Sequence, residues 1–124
     1  MHALHSFCCA VVVAAMLTGC DRSSKLEARH ATGGDARRGA AQIQSYGCGA
    51  CHTIPGIETA RSNVGPPLAD FASRTYIAGS LPNSAEHLVH WIRHPRQVDP
   101  RTAMPEMGVS EAEARDIAAY LYRH

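Results

Sequence analysis

The sequence is short of large aromatic side chains: two Phe, four Tyr and one Trp serve 124 residues. A chain of this length forms one domain at most, and a core with so little aromatic volume is marginal on its own. A buried prosthetic group is one source of the missing apolar surface. The chain also lacks a surplus of either charge. Its 12 basic and 11 acidic residues leave a formal net charge of +1, without long runs of one sign. That balance excludes the concentrated basic face by which proteins grip nucleic acid. No segment alternates apolar and polar residues convincingly, which argues against a sheet-based core. A run long enough to cross a bilayer comfortably is missing as well.

What is present begins at the N-terminus. Residues 7–19, Phe-Cys-Cys-Ala-Val-Val-Val-Ala-Ala-Met-Leu-Thr-Gly, carry no charge. A short apolar run in that place reads as a secretory signal. The preceding residues include His2 and His5 but no Lys or Arg, so their positive charge rests mainly on the α-amino group. The run closes on Leu17-Thr18-Gly19-Cys20, which resembles the lipobox of bacterial lipoproteins. The resemblance implies cleavage before Cys20 and a diacylglycerol on its thiol. Cys8 and Cys9 lie inside the apolar run and read as hydrophobes. Residues 21–34 are polar and aperiodic and end in Gly33-Gly34, the composition of a flexible tether. Fully extended, they reach roughly 45 Å at about 3.3 Å per residue. The expected organisation is a signal peptide over 1–19, a lipidated tether over 20–34 and a folded domain over 35–124.

Inside that domain stands Cys48-Gly49-Ala50-Cys51-His52. C-x-x-C-H is the attachment sequence of c-type haem. The two thiols add across the two haem vinyl groups, and the adjacent His supplies an axial nitrogen to the iron. A bare C-x-x-C leaves two rivals. A thioredoxin-like redox pair needs a βαβ setting, which helical, Gly-punctuated flanks do not provide. A structural zinc site needs a second Cys or His pair at ligand spacing. His87, His90 and His94 are loose candidates for that, but no second Cys pair follows the signal segment. The motif occurs once, so one haem is expected.

Three helices are legible around it. The first spans about Asp35–Tyr46, capped by Asp35, with Ala36, Ala40, Ile43 and Gly47 on one face. The second begins at Asn83 or Ser84, turns Leu88, Trp91 and Ile92 inward, and stops at Pro95. The third opens with Ser110-Glu111-Ala112-Glu113, a capping box, and carries its apolar stripe on Ala114, Ile117, Ala118 and Leu121. The expected fold is all-α.

From about Asp35 to Tyr122 the chain resembles the class I, mitochondrial-type cytochromes c. Gly39 matches the family's glycine in the first helix and Tyr120 the aromatic in the last. The resemblance implies that these helices cross closely, with haem wrapped by helices and loops. Gly65-Pro66-Pro67-Leu68 resembles the segment beyond the attachment site. There the Pro66 carbonyl is expected to accept the second imidazole N–H of His52, and Leu68 to pack on haem. Trp91 falls where the family places an aromatic against haem. Thr102, Arg74, Arg96 and Arg101 are candidates to hold the haem propionates.

Thr102-Ala103-Met104-Pro105 resembles the second-ligand region. Met104 lies thirteen residues beyond Trp91, as the family's ligand does, and Pro105 biases it toward an extended backbone. Met107 and His94 stay open as competitors. The resemblance implies a single-electron carrier and no enzyme, with haem c as its cofactor. Its expected partners are a quinol-oxidising complex or dehydrogenase as donor and a terminal oxidase as acceptor. Neither nucleic acid nor a small-molecule substrate is expected, and the expected location is the periplasmic face of the bacterial inner membrane. The alternatives are a subunit dedicated to one oxidoreductase complex, or a peroxidase or gas-binding protein if Met104 is labile.

Overall fold

The computed structural model describes residues 31–124. Helix α1, Ala36–Ser45, starts where Asp35 accepts the N–H groups of Arg37 and Arg38 at 2.9 and 3.1 Å. These bonds satisfy two of the four donors that a helix start leaves open. Gly39 and Ile43 are buried on its inner face. The helix ends at Tyr46, and Gly47 follows in the left-handed region with φ of 68°.

The last helix, α4 (Glu111–Leu121), opens on the expected capping box. The Ser110 hydroxyl accepts the Glu113 N–H at 3.3 Å, and the Glu113 carboxylate accepts the Ser110 N–H at 3.0 Å. The Tyr46 hydroxyl donates to the same carboxylate at 2.9 Å and so fastens the end of α1 to the start of α4. Ala114 and all residues from Asp116 to Leu121 are buried.

α1 crosses α4 at Gly39. A methyl group there would overlap the Asp116 carbonyl oxygen and stand 2.6 Å from its carbonyl carbon. Only glycine permits this approach of two backbones. Asp116 is 4% exposed, yet its carboxylate is fully engaged at the crossing. Arg38 donates to both oxygens at 2.8 and 2.9 Å, the Asp35 N–H donates at 2.6 Å and the Gln42 amide at 3.3 Å. Burial pushes the Asp116 carboxyl up, but these donors and the Arg38 charge outweigh it, and the pKa ends lowered.

Between these helices lie β1 (Tyr76–Ile77), β2 (Leu81–Pro82), α2 (Ala85–Arg93) and the short α3 (Pro95–Val98). Leu88, Val89 and Ile92 of α2 join Ile43, Phe71, Ile117 and Leu121 in one core.

The structure adds detail to four expectations. Packing extends a few residues upstream of Asp35: Thr32 is fully buried, and a methyl on Gly34 would overlap the Arg115 carbonyl oxygen. Thr32 and Gly34 therefore pack against α4, where Arg115 donates to the Thr32 carbonyl at 2.9 Å. The signal segment, Cys20 and the tether up to residue 30 lie outside the described residues.

The second helix stops before Pro95, as expected, and the chain then restarts as a further helix. α2 ends with His94 as its cap, and Pro95 opens α3 as its first residue, where its missing N–H costs nothing. Trp91 is half-buried at the core's edge, and Val89 takes the fully inward place. Finally, the helical fold includes a small antiparallel hairpin, β1 with β2, pairing Tyr76 with Pro82 and Ile77 with Leu81. No helix among the described residues is long and apolar enough to cross a membrane.

Candidate cofactor site

Beyond Gly47 the chain tightens into a 3₁₀ turn, Cys48–Ala50. The N–H groups of Cys51 and His52 both donate to the Cys48 carbonyl, at 3.2 and 3.0 Å. The two thiols and the imidazole thus leave the backbone within about one turn. Gly49 is needed inside the motif because a methyl there would stand 2.8 Å from the Ala60 Cα. Both thiols are free and half-buried. Burial pushes the Cys48 thiol up, the reverse of the lowered value that makes a thioredoxin-type cysteine reactive. Among the described residues, no three His, Cys, Asp or Glu side chains converge on a point that would hold a metal ion.

His52 is held in one orientation. Its Nδ1 lies 2.7 Å from the Pro66 carbonyl oxygen. A carbonyl only accepts, so Nδ1 carries the proton and Nε2 presents its lone pair. Gly65 cradles the ring: a methyl there would stand 2.5 Å from the imidazole Cε1 and 2.8 Å from Nδ1. The segment is stapled to the motif on both sides. The Gly65 N–H donates to the Cys51 carbonyl at 2.6 Å, and the Leu68 N–H donates to the Thr53 carbonyl at 2.9 Å.

Arg74 was expected at a propionate. Its Nη2 donates to the carbonyls of Pro67 and Ala69, at 2.5 and 3.0 Å, with the guanidinium 4.9 Å from the Phe71 ring centre. It braces the loop that carries the histidine's acceptor. Arg96 is exposed, and Arg101 is 93% exposed beside Asp99.

On the other candidate ligand, Thr102 Oγ1 accepts the Met104 N–H at 3.2 Å, and the Thr102 N–H donates to the Asp99 carbonyl at 3.1 Å. Two successive turns thereby shape the loop that presents Met104, which is half-buried, while Met107 is 43% exposed. Cys48, Leu68 and Trp91 are each half-buried against the same core. The sequence reading overlooked Gly65 and Gly49 as site-forming residues. Their signal was only adjacency to the motif and to Pro66, because close packing against a ring or a neighbouring chain is not written in the glycine itself.

The donor set fits haem c. Two free thiols sit one turn apart, an imidazole offers Nε2 with its other nitrogen tied back, and a glycine leaves room for the ring. Helices crossing at a glycine around such a motif define a c-type haem protein. The chain belongs to the cytochrome c family, whose model, described as "Cytochrome c", matches residues 36–123. Members bind covalently attached haem c and carry electrons, so haem c is this protein's cofactor.

Among curated proteins, the chain is similar to cytochrome c oxidase subunit 2 of Alkalihalophilus pseudofirmus, with 34% identity over 87 residues. The match covers 69% of this chain and 25% of that protein. It is also similar to cytochrome c oxidase subunit 2 of Bacillus sp. strain PS3, with 37% identity over 64 residues, covering 50% of this chain and 18% of that protein. The chain thus spans about a quarter or less of the curated relatives it matches. No solved structure matches it.

Proposed function

We propose that the protein is a mono-haem electron carrier that passes single electrons between respiratory membrane complexes. A quinol-oxidising complex or dehydrogenase is its donor, and a terminal oxidase its acceptor. The observation that carries this reading is the His52 Nδ1 contact with the Pro66 carbonyl, which leaves Nε2 as a ligand beside Cys48 and Cys51. The haem these residues hold supplies a one-electron Fe(II)/Fe(III) couple. The chain does the rest. Pro66 fixes the imidazole tautomer and raises its basicity. Arg74 and the Gly65–Cys51 bond hold Pro66 in place. Thr102 shapes the loop from which Met104 offers its thioether, a ligand that raises the potential. With His52 and Met104 both committed, no position is left for peroxide or oxygen, so the protein carries and does not catalyse.

The two relatives named as oxidase subunits support an oxidase partner. They also favour a second reading, in which this domain is a fixed subunit of an oxidase complex rather than a shuttle. We place the protein on the outer face of the cytoplasmic membrane, anchored by lipid on Cys20, where the two chains of a diacylglycerol suffice for stable attachment.

The test is stopped-flow oxidation of the purified ferrous protein by membranes that contain terminal oxidase. A carrier is reoxidised in a cyanide-sensitive reaction. If oxidase-containing membranes leave it reduced, the oxidase assignment fails. Detergent extraction separates the two readings: a shuttle leaves with the lipids, and a subunit leaves with the oxidase.

A further inference from the structure

α2 and its cap carry three histidines in different states. The His87 Nδ1 is spent on the Pro82 carbonyl at 2.8 Å. His90 and His94 face one another one helical turn apart, with ring centres 5.6 Å apart and planes inclined at 53°. Among the described residues neither ring is hydrogen-bonded, although the backbone between them is, with the His94 N–H donating to the His90 carbonyl at 2.8 Å. His90 is exposed and His94 half-buried, whereas the neighbouring Trp91 packs against the core.

Side chains four apart on a helix share a face, and paired imidazoles are ligands for first-row transition cations. The spacing suits one ion. With metal–nitrogen bonds of about 2.0–2.1 Å, each ring centre stands about 3.2 Å from a shared cation, and a near-tetrahedral angle puts the centres about 5 Å apart. The observed 5.6 Å is close to that. Position helps as well. His90 lies in the last turn of α2 and His94 caps it, where the helix dipole favours a positive charge. Arg93, the cation between them in sequence, is drawn toward Glu111 of α4 at 3.7 Å. No third acidic, His or Cys side chain converges with the pair among the described residues, so solvent completes the coordination.

We propose that His90 and His94 form a two-histidine surface chelate for a divalent transition cation, binding Cu(II) more tightly than Zn(II), in line with the general affinity order of these ions. The test is calorimetric titration of the ferric, full-length protein with Cu(II) and then Zn(II), for the wild type and for His87→Asn, His90→Asn and His94→Asn. The expected result is one stoichiometric Cu(II) site in the wild type. Its affinity falls at least tenfold in His90→Asn and in His94→Asn and is unchanged in His87→Asn. Should His94→Asn disturb the fold, the exposed His90 position decides alone. Wild-type affinity in His90→Asn, or no Cu(II) site in the wild type, would overturn the proposal.

Discussion

Replacing Gly39 by alanine tests the helix crossing on which the site is hung. The added methyl overlaps the Asp116 carbonyl oxygen and stands 2.6 Å from its carbon, where ordinary contact begins at 3.4 Å. The shortfall of 0.8 Å is against backbone, which cannot rotate away as a side chain would. The helices must part, and with them the bonds from Arg38 and from the Asp35 N–H to Asp116. Overpacking of this kind costs about 1–3 kcal/mol, and contact with backbone puts it at the upper end. Alanine returns up to about 1 kcal/mol in helix propensity. The net loss is about 2 kcal/mol, and at about 4–8 °C per kcal/mol for a domain of this size the melting temperature falls by roughly 10 °C or more. The assay is thermal unfolding of the haem-loaded protein followed by far-ultraviolet circular dichroism. Gly47→Ala is the control: its methyl meets nothing within 4 Å, and it carries only the strain of a left-handed backbone, about 1–2 kcal/mol. A Gly39→Ala protein that melts at or above the wild-type temperature would refute the reasoning.

Asp116→Asn is expected to cost about 2 kcal/mol near neutral pH, the scale of lost hydrogen bonds to a charged group. The folded Asp116 carboxyl titrates below its ordinary value of 3.8. Its stabilisation is therefore present above that value and is lost as pH falls through the lower, folded one. Acid titrations of stability should show a shallower acid limb in Asp116→Asn, while the lowered carboxyls of Asp35, Glu111 and Glu113 keep part of the slope. An unchanged acid limb would count against the buried network. For the second axial position, Met104→Leu should abolish the weak sulfur-to-iron charge-transfer band of the ferric protein, and Met107→Leu should keep it. The opposite pattern would move the ligand to Met107.

Legibility followed the range of the interaction. The capping box at Ser110 and the Asp35 cap were readable because each is made by residues two or three apart. The His52 contact with Pro66, fourteen residues apart, was readable only through resemblance to a known family. The buried start of the domain was not readable. Thr32 and Gly34 are small and polar in context like any linker, and only their packing against Arg115, far along the chain, makes them structural. The hairpin was hidden for another reason. Its turn places Ala78 and Gly79 in the left-handed region, with φ of 50° and 74°, closed by the Ser80 N–H to Ile77 carbonyl bond at 3.1 Å. Such a turn is normally announced by Asn-Gly or Asp-Gly, and alanine gives no such sign. The loop-bracing role of Arg74 was not legible, because a basic side chain gives no sign in sequence that it bonds nearby backbone carbonyls.

Carbon monoxide provides the most direct test of the central proposal, that His52 and Met104 would together hold the iron and leave no position for a further ligand. The ferrous wild-type protein is exposed to saturating carbon monoxide at neutral pH, and its visible spectrum is followed. An unchanged spectrum is the predicted result. Prompt, stoichiometric conversion to the carbon monoxide form would contradict the account and put the protein among haem proteins that bind a substrate or a gas.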